Sequence, residues 1–128
     1  MDNSKVREFY KAGVLELSKA EKELQRPHED VVLYNACLNS RRAIHRFMSA
    51  IYLHNNQGST TPPDSLTIEQ LLQHNQPYEP TLKEIDFSQI NCRCSDVLND
   101  EEVFYCDNHA HVKTCFNIAN RLMQIAAF

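Results

Sequence analysis

The sequence predicts an all-α fold: an antiparallel up-and-down bundle of four long helices plus one short helix, as a single domain over residues 1–128. Three observations predict it. Apolar residues recur at helical spacing along the whole stretch from Val31 to Asn55. Only two residues are Gly and five are Pro, so sharp reversals are scarce and long helices are favoured over a many-turned β fold. The chain of 128 residues falls within the size of one domain and is long enough to bury a core.

The first helix is expected over roughly Ser4 to Gln25. Val6, Phe9, Gly13, Leu17, Ala20 and Leu24 make one stripe, and Lys, Arg and Glu fill the other face. Ser4 is the expected N-cap. Pro27 ends the helix, because the residue before a proline is pushed out of the helical region. The second helix is expected from about Glu29 to Asn55 and is the centre of the fold. Val31, Tyr34, Leu38, His45, Met48 and Tyr52 form one line, and Leu33, Cys37, Ile44, Phe47 and Ile51 form the next. Two adjacent apolar lines reach several neighbours. Ala36, Ala43 and Ala50 sit seven apart and allow close backbone approach along one line.

Residues 55–64 (Asn-Asn-Gln-Gly-Ser-Thr-Thr-Pro-Pro-Asp) read as a loop. A short helix follows over about Ser65 to Asn75, anchored by Leu66, Ile68, Leu71 and Leu72. Thr67 and Gln70 have the spacing of a capping box. Pro77 and Pro80 end it. A fourth helix is expected over about Thr81 to Leu98, with Leu82, Ile85, Ile90, Cys94 and Val97 as its apolar face. The last is expected from about Asp107 to Ala127, with Val112, Cys115, Ile118, Ala119, Leu122, Ile125 and Ala126 inward.

The formal net charge of −4 argues against non-specific coating of nucleic acid, while leaving room for a local basic patch. No window has the roughly 18 apolar residues of a membrane span, so no membrane association is expected. The polar start, Met1-Asp-Asn-Ser-Lys, lacks the apolar stretch of a secretion signal. With that start, the five scattered cysteines, an odd number, read as reduced thiols of a cytoplasmic protein.

Several of these segments resemble the HEPN family of small helical domains. The first is Tyr10-Lys-Ala12-Gly13-Val-Leu15-Glu-Leu17-Ser-Lys-Ala20. The second is Ala36-Cys-Leu38-Asn-Ser-Arg-Arg42-Ala43-Ile44-His-Arg-Phe47-Met-Ser-Ala50. A loop and the short helix Ser65-Leu-Thr-Ile-Glu-Gln-Leu71-Leu72 come next. The last helix is led in by Phe104-Tyr105-Cys106-Asp107. The resemblance covers nearly the whole chain and rests on element order and apolar pattern. It implies a helical bundle that forms a two-fold homodimer. Many HEPN domains are ribonucleases with an Arg, four to six residues, then a His near the start of the last long helix. Others lack that motif, and some are encoded beside a minimal nucleotidyltransferase.

This chain departs from the ribonuclease pattern. Its last helix begins Asp107-Asn108-His109-Ala110-His111 with no Arg at the required distance before it. Arg93 is too far from His109. Arg41 and His45 are four apart but lie on the central helix, and Arg121 follows the histidines. No catalytic residue is assigned. The resemblance then implies a non-catalytic module that binds a nucleotide, RNA or a partner protein, a nucleotidyltransferase among them. The alternative is a divergent ribonuclease in which His109 or His111 survives as general acid or base.

The residues themselves single out one surface. Asn35, Asn39, Arg42, Arg46 and Ser49 recur along the polar edge of the central helix. Two Arg four apart project from one side and can clamp a phosphate or carboxylate with paired donors. Asn35, Asn39, Arg42 and Arg46 are therefore the expected anionic-ligand residues, with Arg41 and His45 on the border. His109, His111 and Lys113 are accessory if the last helix packs alongside. The ordinary reading of this edge is a solvated helix face or a dimer contact. Cys92, Cys94, Cys106, His109, His111 and Cys115 are zinc-type ligands. Their spacing is poor: His109 and His111 lie about 200° apart round a helix, and Cys115 falls on the core stripe. No metal and no cofactor is expected. Neither Gly13 nor Gly58 belongs to a Gly-rich phosphate loop. Glu101-Glu102 and the glutamates of the first helix read as solvated.

Overall fold

The computed structural model describes residues 4–27, 29, 31, 33–56, 61–87 and 109–128. Among these residues the structure is all helical, with α1 (Ser4–Leu24), α2 (Leu33–Asn55), α3 (Ile68–Asn75) and α4 (His109–Ile125). Two short 3-10 segments, Pro63–Ser65 and Pro80–Glu84, flank α3.

The stripe expected on α1 faces inward: Val6, Gly13, Leu17 and Ala20 are buried, and Phe9 and Leu24 are partly so. The helix α2 starts at Leu33 and not at Glu29. Glu29 is in a 3-10 conformation and Val31 has no regular structure, so the chain that reverses after Pro27 is not yet α-helical at either residue. Ala36, Ala43 and Ala50 are fully buried, as are Ile44, Phe47, Met48 and Ile51.

Gly13 faces Phe47. A Cβ built on Gly13 would lie 2.6 Å from Phe47 Cε1 and 2.8 Å from Cδ1, so the glycine is there for close approach of α1 to the ring. Tyr10 covers the same ring, with centroids 5.8 Å apart. Glu23 meets Asn35 at one end of this pair and Phe9 meets Arg46 at the other, so α1 and α2 run antiparallel.

The expected capping box of α3 is present. The Gln70 N–H donates to Thr67 Oγ1 at 3.1 Å, and the Thr67 N–H donates to Gln70 Oε1 at 2.9 Å. Asn75, fully buried at the other end of α3, donates through Nδ2 to the Met48 carbonyl of α2 at 3.0 Å. A side-chain amide thus ties α3 to the central helix where an apolar residue would only pack.

The sequence expectation of an α-helix from Thr81 needs correction. Residues 80–84 form a 3-10 segment, and Ile85 is already extended at φ −93°, ψ 129°. Leu82 and Ile85 are the buried residues here. Three-residue spacing places both on one side of a 3-10 turn, which meets the core as well as an α-helix would. The rest of that expected helix, residues 88–98, lies outside the described residues.

The direction of α4 is given by its two ends. Val112 packs with Ala36 and Cys37 near the start of α2. Phe128, just past α4, stacks on His54 at the end of α2, with centroids 3.7 Å apart and planes at 8°. So α4 runs parallel to α2 and antiparallel to α1. The α1–α2 pair has two grooves, and α4 lies along the one on the Cys37 side. Cys37 is two residues, about 200° of helical rotation, from both Asn35 and Asn39. The polar edge of α2 therefore lines the opposite groove.

Candidate anion-binding seam

The seam is built from two facing lines. On α2 they are Asn35, Asn39, Arg42 and Arg46. On α1 they are Phe9, Glu16 and Glu23, spaced seven apart and hence nearly in line. The two measured ends fix the register. Asn35 Nδ2 donates to Glu23 Oε1 at 3.5 Å. The Arg46 guanidinium carbon sits 5.7 Å from the centroid of the Phe9 ring. That register sets Glu16 between them, opposite Asn39 and Arg42.

The Asn35 end is acidic, with Asn35 itself exposed and Glu23 largely covered. The Glu23 side chain is only 11% exposed and also accepts from Arg26 Nη1 at 3.1 Å. A second acidic group lies mid-seam: Glu16 is half-buried, and its Oε2 is inaccessible with no hydrogen-bond partner among the described residues. The sequence reading placed these glutamates on a wet face. Their seven-residue spacing from Phe9, an inward residue, was the available signal.

The arginine end is open. Arg42 is exposed and has no ion-pair partner among the described residues. Arg46 Nη1 donates to Asp64 Oδ1 at 3.3 Å, with the two side chains 41% and 66% exposed. An ion pair this wet contributes about 0–1 kcal/mol. Arg46 thus keeps most of its five donors available.

No family model, curated protein or solved structure matches this chain. The chemistry of the seam rests on its own residues.

Two border residues and one seam residue sit differently from the sequence expectation. Arg41 is 2% exposed and belongs to the interior, not to the seam border. Its spacing shows why: it is four after Cys37, three before Ile44 and seven before Met48, all buried positions. Ser49 is fully buried, and its hydroxyl donates to the His45 carbonyl one turn back at 2.7 Å, which satisfies the polar atom inside the helix. His45 has a structural task. Its Nε2 is 2.8 Å from the Leu66 carbonyl, which can only accept, so Nε2 carries the proton and ties the segment before α3 to α2.

His109, His111 and Lys113 occupy the first turn and a half of α4, the histidines half-buried and the lysine exposed. The helix packs alongside α2, as the accessory role requires, but on the Cys37 side and away from the seam. Cys115 is a fully buried core residue, while Cys92, Cys94 and Cys106 lie outside the described residues. Among the described residues no group of three or more His, Cys, Asp or Glu is placed to hold a metal ion. No described helix is long and apolar enough to cross a membrane.

Proposed function

We propose that this chain is a non-catalytic, HEPN-like helical module that holds an anionic group, a nucleotide or an RNA phosphate, on the edge of its central helix. The observation that carries the reading is the open arginine end of the seam. Arg42 and Arg46, four apart on α2, are both accessible, and the carboxylate that pairs with Arg46 among the described residues is solvent-exposed. Asn39 is half-buried one turn before Arg42 and supplies a neutral donor. Asn35 extends the line, although Glu23 beside it directs anions toward the arginines. Glu16 and Glu23 also bound the charge the site accepts, which suits a single phosphate better than a long polyanion.

The up-and-down bundle of four long helices plus one short helix belongs to the same reading. The antiparallel α1–α2 pair and the parallel α2–α4 pair support it, since alternation sends the second and fourth helices of such a bundle the same way. A homodimer and a nucleotidyltransferase partner come with the HEPN resemblance. Light scattering that gives the monomer mass at micromolar concentration counts against the dimer.

The deciding test is calorimetric titration of 5′-AMP and a short RNA into the wild type and an Arg42→Ala/Arg46→Ala double variant. Loss of two charge-assisted contacts lowers affinity by about tenfold or more. Equal affinity in both proteins, or no binding in either, makes the seam an ordinary wet surface. RNA cleavage that disappears in both His109→Ala and His111→Ala replaces the binding module with the ribonuclease alternative.

A further inference from the structure

Asp64 occupies a donor of Arg46, and contacts other than that ion pair hold its segment in place. Two α2 side chains other than Arg46 strap the segment 61–66 to the helix. Tyr52 Oη donates to the Thr61 carbonyl at 3.2 Å, His45 Nε2 donates to the Leu66 carbonyl at 2.8 Å, and Arg46 reaches Asp64 between them. Within the segment, the Ser65 hydroxyl donates to the Pro62 carbonyl at 2.7 Å, and the Ser65 and Leu66 N–H groups donate to the Pro62 and Pro63 carbonyls at 3.1 and 3.0 Å. Pro63 is buried, which anchors the turn that carries Asp64. The ring constraint of two consecutive prolines narrows the backbone further.

Asp64 is therefore a tethered carboxylate with a fixed approach to one guanidinium edge. Phe9 lies under the guanidinium group of Arg46. A bidentate anion has to approach in the guanidinium plane, and Asp64 already holds Nη1 in that plane's donor set. At 3.3 Å, with both side chains wet, the contact is too weak to be needed for folding and weak enough to be displaced.

We infer that Asp64 is an internal competitor for Arg46, so that the strapped segment 61–66 sets the affinity of the seam for anions. This rests on the anion-binding reading of Arg42 and Arg46 given above. A ligand phosphate exchanges with the Asp64 carboxylate at Arg46 while the backbone straps stay in place. The competition is intramolecular, and it weakens the binding of any anion at Arg46 by the same modest factor.

The test is a double-variant cycle with 5′-AMP as the probe, titrated into the wild type, Asp64→Asn, Arg46→Ala and the Asp64→Asn/Arg46→Ala pair, with circular dichroism checking that each is folded. Asp64→Asn should tighten binding by about two- to fivefold, the range of one exposed ion pair. That gain should vanish in the Arg46→Ala background. Unchanged affinity in Asp64→Asn, with Arg46→Ala still weakened, overturns the competition and leaves the anion site standing. An equal gain in both backgrounds also overturns it, because the effect is then general charge removal. No binding by any of the four proteins removes the anion site and this inference with it.

Discussion

The two grooves of the α1–α2 pair are made from the same two helices and have opposite contents. Along one runs α4, with Val112 against Ala36 and Cys37 and with Cys115, Ala119 and Leu122 fully buried. The other holds Asn35, Asn39, Arg42 and Arg46 facing Phe9, Glu16 and Glu23, and among the described residues the strap around Asp64 covers part of it. The first groove removes apolar area from water and carries stability. The second exchanges water for weak, exposed polar contacts that contribute little net free energy. A helix pair can thus place its stabilising apolar contacts on one side and its weak polar contacts on the other, by the side on which each residue falls.

Substitutions can break that contrast, beginning with the contact between the grooves. Phe47 is fully buried under Gly13 and Tyr10, and Phe47→Ala should destabilise by about 3–5 kcal/mol in urea unfolding. A fully stable variant would mean that α1 and α2 are not packed as described. On the α4 side, Leu122→Ala should cost about 2–5 kcal/mol by the same measurement. A loss below about 1 kcal/mol would make α4 a loosely attached element.

Gly13→Ala tests how tight the approach is. Alanine favours the helix by about 1 kcal/mol, but its methyl group would meet the buried Phe47 ring at 2.6 Å. Overpacking costs of about 1–3 kcal/mol lead to a net destabilisation or at best neutrality. A clear rise in melting temperature would mean that the ring moves aside easily.

The smallest effects belong to the open groove. Arg42→Ala should change stability by no more than about 0.5 kcal/mol, since the side chain is exposed and unpaired among the described residues. A loss of several kcal/mol would place Arg42 in a structural network and end its candidacy as a ligand residue.

Much of the fold was legible because periodicity reports burial directly. The α1 stripe, the Ala36–Ala43–Ala50 line, the capping box of Thr67 and Gln70, and the core stripe of α4 all lie where spacing placed them. Failures came where two readings share one spacing. Leu82 and Ile85 fit a 3-10 turn as well as an α-helix. Arg41 carries a guanidinium, as Arg42 and Arg46 do, but stands at core spacing, so its position and not its polarity decides its burial. Ser49 falls on the polar edge by spacing, but its hydroxyl donates a hydrogen bond to the His45 carbonyl of its own helix and can be buried.

The sequence by itself determined that this protein is helical, which side of each described helix is apolar, and that Arg42 and Arg46 share one edge of α2. Those are properties of a single helix, and 3.6 residues per turn is enough to derive them. Tertiary structure alone decided which neighbour each edge receives. It placed Glu16 and Glu23 opposite the asparagines and arginines, brought Asp64 from across the loop to Arg46, and sent α4 with its histidines to the other groove. The reason is physical: an edge's charge is local, whereas its partners depend on the register and direction in which separate helices pack, and a single helix's periodicity carries neither.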